Sequence, residues 1–320
     1  MWFLLSLSCM LFWGGADLFY KKGTDSRDRY SHLKIAVWVG FVMGVFAFIL
    51  MPFAETKFSV SALIQNAIKY SPASLGYIIS MIVGYAGLRY LEVSVVSPVQ
   101  NASGAFSALA MFIWFSAKGK ADEFFGDFWY LNAAGTLLIV AGVIALGVVE
   151  QRLCAKEGDL APGDKKYRFG ALALIFPVLY CVFDTVGTAA DGIILDEDTG
   201  LGLGEIDILI LYGLTFLIAG IIAWIFLLIK EKKAYNPFAA GERTKGVAAL
   251  CEEGGQIFYV YAMAAKPILA APMVASYCIV SAIFARIFIK EKLKAAQYAC
   301  VAAVIAGVIA LGIVEGLAEK

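Results

Sequence analysis

The chain has 320 residues, 61% of them hydrophobic and only 16% charged, with 26 basic and 26 acidic side chains and a mean hydropathy of +0.79. An ordinary soluble domain is about half apolar and about a quarter charged, so this excess points to lipid as the solvent. The balanced charge offers no basic surplus for a nucleic acid, and no nucleic-acid partner is expected.

Ten apolar stretches come close to the ~20 residues that cross a bilayer. They are residues 2–20, 35–54, 75–91, 94–116, 128–149, 169–190, 206–229, 246–265, 268–289 and 295–314. The first follows Met1 with no basic segment before it, so no cleavable signal is expected. The third and fourth are separated near Glu92, and the eighth and ninth by Lys266-Pro267. Residues 59–70 have the amphipathic pattern of a segment resting on the outer interface. Six cysteines (Cys9, Cys154, Cys181, Cys251, Cys278 and Cys300) fall mostly in apolar runs without Cys-x-x-Cys spacing. They read as small buried apolar residues, and neither a metal nor another cofactor is expected.

Basic residues cluster after the first, fifth, seventh and ninth spans, where 18 of the 26 lie. The sixth loop, residues 191–205, has no basic residue and carries Asp191, Asp196, Glu197, Asp198 and Glu205. The positive-inside rule then makes the odd loops cytoplasmic and leaves both termini outside.

The two halves correspond. Residues 141–150 and 306–315 share a decapeptide that differs only at Val148 against Ile313, a shift of 165. Pro98 matches Pro272 at a shift of 174, and Trp13 with Asp17 matches Tyr180 with Asp184 at 167. An odd number of spans per half makes the halves insert in opposite directions, an architecture of secondary transporters. The expected fold is an all-α membrane protein with ten transmembrane helices in two inverted five-helix repeats. Residues 1–150 form the first repeat, 151–167 a basic linker and 168–320 the second repeat.

Ionisable groups within spans are costly unless they face protein or water, so each is a functional candidate. Trp13 and Asp17 share one helical face, as do Tyr180 and Asp184. A ring face beside a carboxylate suits a cation. The alternatives are that Asp17 pairs with Lys21 one turn on, and that Asp184 lies near the polar end of its span. Glu252 and Glu253 fall about two turns inside the eighth span, at 1.5 Å rise per residue. Two adjacent carboxylates in low dielectric are not both charged; one holds a proton. One faces a cavity and the other a neighbouring helix, with Glu252, Gln256 and Tyr259 on one face. The alternative is a later helix start that leaves the pair interfacial. By depth, Asp17 and the glutamates share one half of the bilayer and Asp184 lies in the other. In the fourth span Pro98 frees a carbonyl and is followed by Gln100 and Asn101; in the ninth, Ser276 and Tyr277 follow Pro272. Such breaks either line a cavity or only shape packing. Gly135, Gly142, Gly147, Ala306, Gly307 and Gly312 suit close helix packing. Arg89 and Arg286 sit near span ends and snorkel.

Beyond these features, the chain resembles an EamA-type member of the drug/metabolite transporter superfamily. The likeness rests on Trp13-Gly14 with Lys21 or Lys22, and on the string Tyr85-Ala86-Gly87-Leu88-Arg89-Tyr90, which carries one insertion. It rests also on Pro272, on Lys290-Glu291-Lys292-Leu293 without the usual glycine, and on Gln297 with Ala306-Gly307. The resemblance implies a central cavity lined by helices 1, 3, 4, 6, 8 and 9, helices 5 and 10 at the periphery, and export or exchange of a small metabolite. It also implies cytoplasmic termini, against the charge rule.

The expected function is a non-enzymatic secondary transporter of a small polar metabolite, cationic or zwitterionic, coupled to a proton or another cation. The partners are the substrate and the cell-membrane bilayer, in a monomer or homodimer. An intramembrane enzyme using Asp17 with Glu252 or Glu253, or a channel or scaffold, is the alternative. The sole histidine, His32, falls between the first two apolar stretches and is expected in a loop, and the chain has no Gly-x-x-x-x-Gly-Lys-Ser/Thr phosphate loop for an ATP-driven pump. The charge rule predicts that a cytoplasmic-only reporter fused after Lys320 stays inactive; an active reporter overturns that orientation.

Overall fold

The computed structural model describes residues 1–23, 28–54, 60–87, 100–120, 126, 128–156, 175–196, 198, 200–231, 235–289 and 293–318. Every regular element among them is helical. In order these are α1 (Trp2–Gly23), α2 (Ser31–Leu50), α3 (Val60–Gly87), α4 (Ser103–Ala117), α5 (Trp129–Lys156) and α6 (Ile175–Ile194). Then come α7 (Glu205–Lys230), α8 (Arg243–Ala265), α9 (Pro267–Ala275), α10 (Tyr277–Phe284) and α11 (Ala295–Ala318). A π-turn, Ala285–Ile289, follows α10. Arg286 in that turn is exposed, in keeping with a snorkelling role. Pro98, Arg89, Glu92 and residues 157–167 of the basic linker lie outside the described residues.

Seven helical stretches among the described residues are long and apolar enough to cross a membrane: Trp2–Gly23, Ser31–Phe53, Trp129–Val149, Ile175–Ile194, Glu205–Lys230, Pro267–Phe288 and Ala295–Ala318. The chain is thus an all-α membrane protein. Large apolar side chains on outer faces are exposed, among them Leu137 and Ile144 on α5, Ile222 and Ile229 on α7, and Ile309 and Ile313 on α11. In water such a surface would aggregate; in lipid it is solvated. α3 and α8 are more polar than these seven. α3 opens with Gln65, Asn66 and Lys69, and α8 carries Arg243, Lys245, Glu252, Glu253 and Gln256.

Packing joins the two halves of the chain at every main contact. α1 packs on α8, α2 on α7, α3 on α6, α4 on α9, and α5 on α11. Lipid supplies no hydrophobic drive between helices, so close approach through small residues does that work. At the α2–α7 crossing a Cβ on Gly40 would lie 2.5 Å from the Phe216 carbonyl and 2.8 Å from the Gly220 Cα. The two decapeptides lie on α5 and α11, where Gly135 and Gly142 meet Leu311, Val304 and Gly307, the packing surface expected of them. Gly312 instead meets Phe3 of α1.

Two boundaries differ from the sequence reading. Residues 60–70 are the first part of α3, which runs on through Pro72, and Tyr70 is fully buried. Pro72 has no N–H for the Ile68 carbonyl, and the Ser71 hydroxyl donates to that carbonyl at 2.8 Å instead. α6 continues to Ile194, past the expected end at residue 190. Asp191 therefore lies inside the helix, 0% exposed, rather than opening an acidic loop. The break at Lys266 between α8 and α9 falls where expected.

The α2–α7 crossing gives a test. Gly40→Ala should cost about 1–3 kcal/mol, as overpacking does, and lower the melting temperature of the purified protein in detergent. Gly241→Ala, at a position with nothing within 4 Å, should leave it unchanged.

Candidate functional site

Helix interruptions in both halves meet at the centre of the bundle. Gln100 and Asn101 are helical, Ala102 interrupts, and α4 starts at Ser103. In the second half Ser276 separates α9 from α10, and its hydroxyl donates to the Met273 carbonyl at 2.6 Å. Ala102 and Ser276 are 174 residues apart, the same shift as Pro98 and Pro272. Gly104 sits against Ala271 and Ala275, so the interrupted segments touch.

Beside them is a cavity of about 1060 Å³, part of it open to solvent. Asp17, Asp184 and Glu252 line it together with Trp13, Gln100, Asn101, Tyr180, Gln256, Tyr259 and Tyr277. Of the residues singled out from sequence, Glu253 alone is not in the lining; it is 7% exposed and points away from the cavity. This is the division of roles expected from the ~100° between consecutive helical residues. The later-start alternative for α8 is excluded, since α8 begins at Arg243 and encloses the pair.

Trp13 anchors the wall. Its indole stacks on Tyr259 with centroids 5.3 Å apart and meets Tyr277 edge-on at 5.7 Å. Its Nε1 donates to the Glu252 carbonyl at 3.2 Å. The ring fits because residue 255 is glycine: a Cβ there would lie 2.2 Å from the indole Cδ1. Asp17 accepts a hydrogen bond from Ser281 on α10 at 2.8 Å, and Asp184 accepts one from Ser103 on α4 at 2.6 Å. Each acid is held by a serine from the other half of the chain.

Asp184 was expected in the opposite half of the bilayer from Asp17 and the glutamates. It lines the same cavity as Asp17 and Glu252, at the midpoint of α6. The wall also contains residues that the sequence did not single out. Tyr77, Met81, Gly84 and Tyr85 on α3 follow helical spacing along one face, as do Tyr180, Asp184 and Thr188 on α6. That periodicity was the available signal. Tyr20 lies one turn past Asp17 on α1 and carried the same signal, while Tyr212 on α7, a single tyrosine in apolar text, carried none.

The chemistry of the wall is uneven. Three carboxylates and eight aromatic rings face the space, while Lys21 is the single basic side chain among the described lining residues. Ring faces and carboxylates attract positive charge. Gln100 and Gln256 also line the cavity, and the Nε2 of each is buried without a hydrogen-bond partner. These amides offer donors to a polar acceptor such as a carboxylate.

No family model matches the chain, and no curated protein matches it. Its fold is shared with a solved structure described as "Crystal structure of protein", at a TM-score of 0.62 and 13% sequence identity, over 97% of this chain and 96% of that one. The likeness spans both chains almost completely and concerns the fold alone.

Cavity and floor are separable by experiment. With the native cysteines replaced, Thr188→Cys should react with a water-soluble maleimide in detergent, since Thr188 lines the cavity. Tyr70→Cys, at a fully buried position outside the lining, should react at least ~10-fold more slowly, as burial restricts access of a thiol to reagent.

Proposed function

We propose that the protein is a secondary transporter of the drug/metabolite type. It has ten membrane helices in two inverted repeats, with α9 and α10 as one broken helix, and moves a small cationic or zwitterionic metabolite across the cell membrane by alternating access. The observation that carries this reading is the cavity at the meeting of two interrupted helices, walled by Asp17, Asp184, Glu252 and aromatic rings. Interrupted helices at membrane depth are tolerated where they line a cavity, and transporters place substrate sites there.

The packing pattern supports the repeat. If the first span corresponds to the sixth, the second to the seventh and so on, exchanging the halves turns the α1–α8 contact into α6–α3. The α2–α7, α4–α9 and α5–α11 contacts map onto themselves. The set of main contacts is therefore unchanged, as a two-fold axis between the halves requires. Such a bundle rocks one half against the other about the central site.

The wall supports the substrate class. An ammonium group fits between the Trp13–Tyr259–Tyr277 rings and the acids, and the free amide donors of Gln100 and Gln256 suit the carboxylate of a zwitterion. A phosphorylated metabolite is disfavoured, because Lys21 alone would oppose three carboxylates. A group that can be neutral or charged at low dielectric also suits coupling to a proton or another cation.

The test is a thermal-shift screen of the purified protein against amines, polyamines and amino acids, followed by counterflow of each hit in liposomes. A carrier shows exchange-stimulated, saturable uptake of unchanged substrate. Asp17→Asn and Glu252→Gln should each reduce the shift and the uptake at least ~10-fold, the order of a lost charge-assisted contact. Non-saturating flux would identify a channel, and altered substrate an enzyme; either outcome overturns the proposal.

A further inference from the structure

Asp191 lies beyond the cavity floor, one turn past Thr188 on α6, and does not line the cavity. It is 0% exposed. Its Oδ1 accepts a hydrogen bond from the Tyr70 hydroxyl at 2.7 Å, and its Oδ2 is buried with no hydrogen-bond partner. The groups facing it are all phenolic: Tyr70 and Tyr77 from α3, Tyr212 from α7 and Tyr259 from α8. Beside it, at Gly192, α4 and α9 present Met111 and Pro267. Asp184 is the nearest acid on its own helix, two turns away. Asp191 makes no ion pair among the described residues.

The floor itself is a chain of hydroxyls. Tyr77 donates to Thr188 Oγ1 at 3.2 Å, and the Tyr77 and Tyr259 hydroxyls share a hydrogen bond. These three residues line the cavity from one side, while Tyr70 and Asp191 sit behind them. Further out, Lys120 pairs with Asp196 at 2.7 Å and with Asp198 at 3.0 Å, tying the end of α4 to the loop after α6. The hydrogen bond to Asp196, and then that to Asp198, hold the Lys120 ammonium above the usual lysine range, so Lys120 keeps its charge throughout the range in which acids titrate.

We propose that Asp191 is a second protonation site, separate from the cavity acids, and that its proton holds the far end of the cavity closed. A neutral acid is compatible with the dry, phenol-lined position. An ionised carboxylate there would have only phenolic donors and no counter-charge among the described residues, and it is disfavoured unless water reaches it. Loss of the proton from Oδ2 to water therefore shifts the population toward the conformation in which α3 and α6 part at this end. The binding of that one proton reverses the shift. This deepens the transport reading by naming a site of coupling, and it makes a claim that can be checked without any substrate.

The experiment is hydrogen–deuterium exchange of the purified full chain in detergent, followed in peptides covering residues 60–75 and 188–196. Uptake is measured from about pH 5 to about pH 9, where buried carboxylates titrate, and corrected for the intrinsic pH dependence of exchange. The corrected rate should rise several-fold with pH in the wild type and stay flat and low in Asp191→Asn. Tyr70→Phe breaks the same hydrogen bond but keeps the acid, so it must still respond to pH. It also keeps the proposal testable if Asp191→Asn fails to fold. The proposal is overturned if Asp191→Asn responds like the wild type, if Tyr70→Phe loses the response, or if Glu252→Gln abolishes it. A rate that changes at constant pH when choline replaces sodium would make the ligand a metal cation, and would overturn it as well. If the response holds while counterflow fails, Asp191 titrates as proposed and the transport reading is the one that falls.

Discussion

The constraint on which the rest of this structure depends is the cost of polar and ionisable groups inside a bilayer. A carboxylate at membrane depth must face protein partners or water. Asp17, Asp184, Glu252, Glu253 and Asp191 all lie within helices of the bundle. The protein meets that demand in two ways. Asp17, Asp184 and Glu252 share one cavity, where water or a ligand can reach them. Asp191 is fully buried among phenols, with Tyr70 donating to it at 2.7 Å. The same demand explains why α3 and α8 are the more polar long helices. They supply much of the inner wall, and the strongly apolar α5 and α11 turn outward to lipid.

The interruptions follow from the same rule. Breaking a helix in lipid exposes carbonyls and amides that nothing outside can satisfy. Here two such sites are repaired locally. Ser71 serves the carbonyl that Pro72 leaves free, and Ser276 folds back onto Met273 at the α9–α10 junction. With the backbone satisfied, the interrupted segments of both halves can approach through Gly104 and the alanines at 271 and 275. The serines at 103 and 281 then hold the acids of the opposite half. A displacement of one half against the other therefore changes the partners of Asp17 and Asp184 together.

The sequence was most legible where an ionisable or unusual residue stood out against apolar text. Trp13, Asp17, Asp184 and Glu252 were visible in that way, and all four reach the cavity. Helical geometry predicts that only one of Glu252 and Glu253 faces the cavity, and packing selects Glu252. The tyrosines were not visible. Fifteen occur in the chain, and whether one faces lipid or cavity depends on the rotation of its helix, which packing decides. Tyr212 shows this: it sits between Ile210, Leu211, Gly213 and Leu214, with nothing beside it to mark its face. Element ends failed for a different reason. Residues 59–70 look amphipathic because one side of α3 packs on α6, and Asp191 looks like the start of a loop because acids follow it. The end of α6 is tied to the buried Tyr70–Asp191 contact, between residues 121 positions apart. No local pattern can report a partner at that distance.

The two halves match in their packing and differ in their chemistry. At the shift set by the prolines, Glu252 and Glu253 of α8 correspond to Ile78 and Ile79 of α3. Asp191 has no acid as its counterpart either: at the shift that relates Asp17 to Asp184, it falls opposite Thr24. The extra acids of the second half thus sit at different depths, Glu252 beside Asp17 and Asp191 behind the Tyr77–Thr188 floor. On the proposed transport reading, unlike titratable groups at the two depths make the closures at the two ends respond differently to pH, because protonation at one depth biases only the conformation it stabilises.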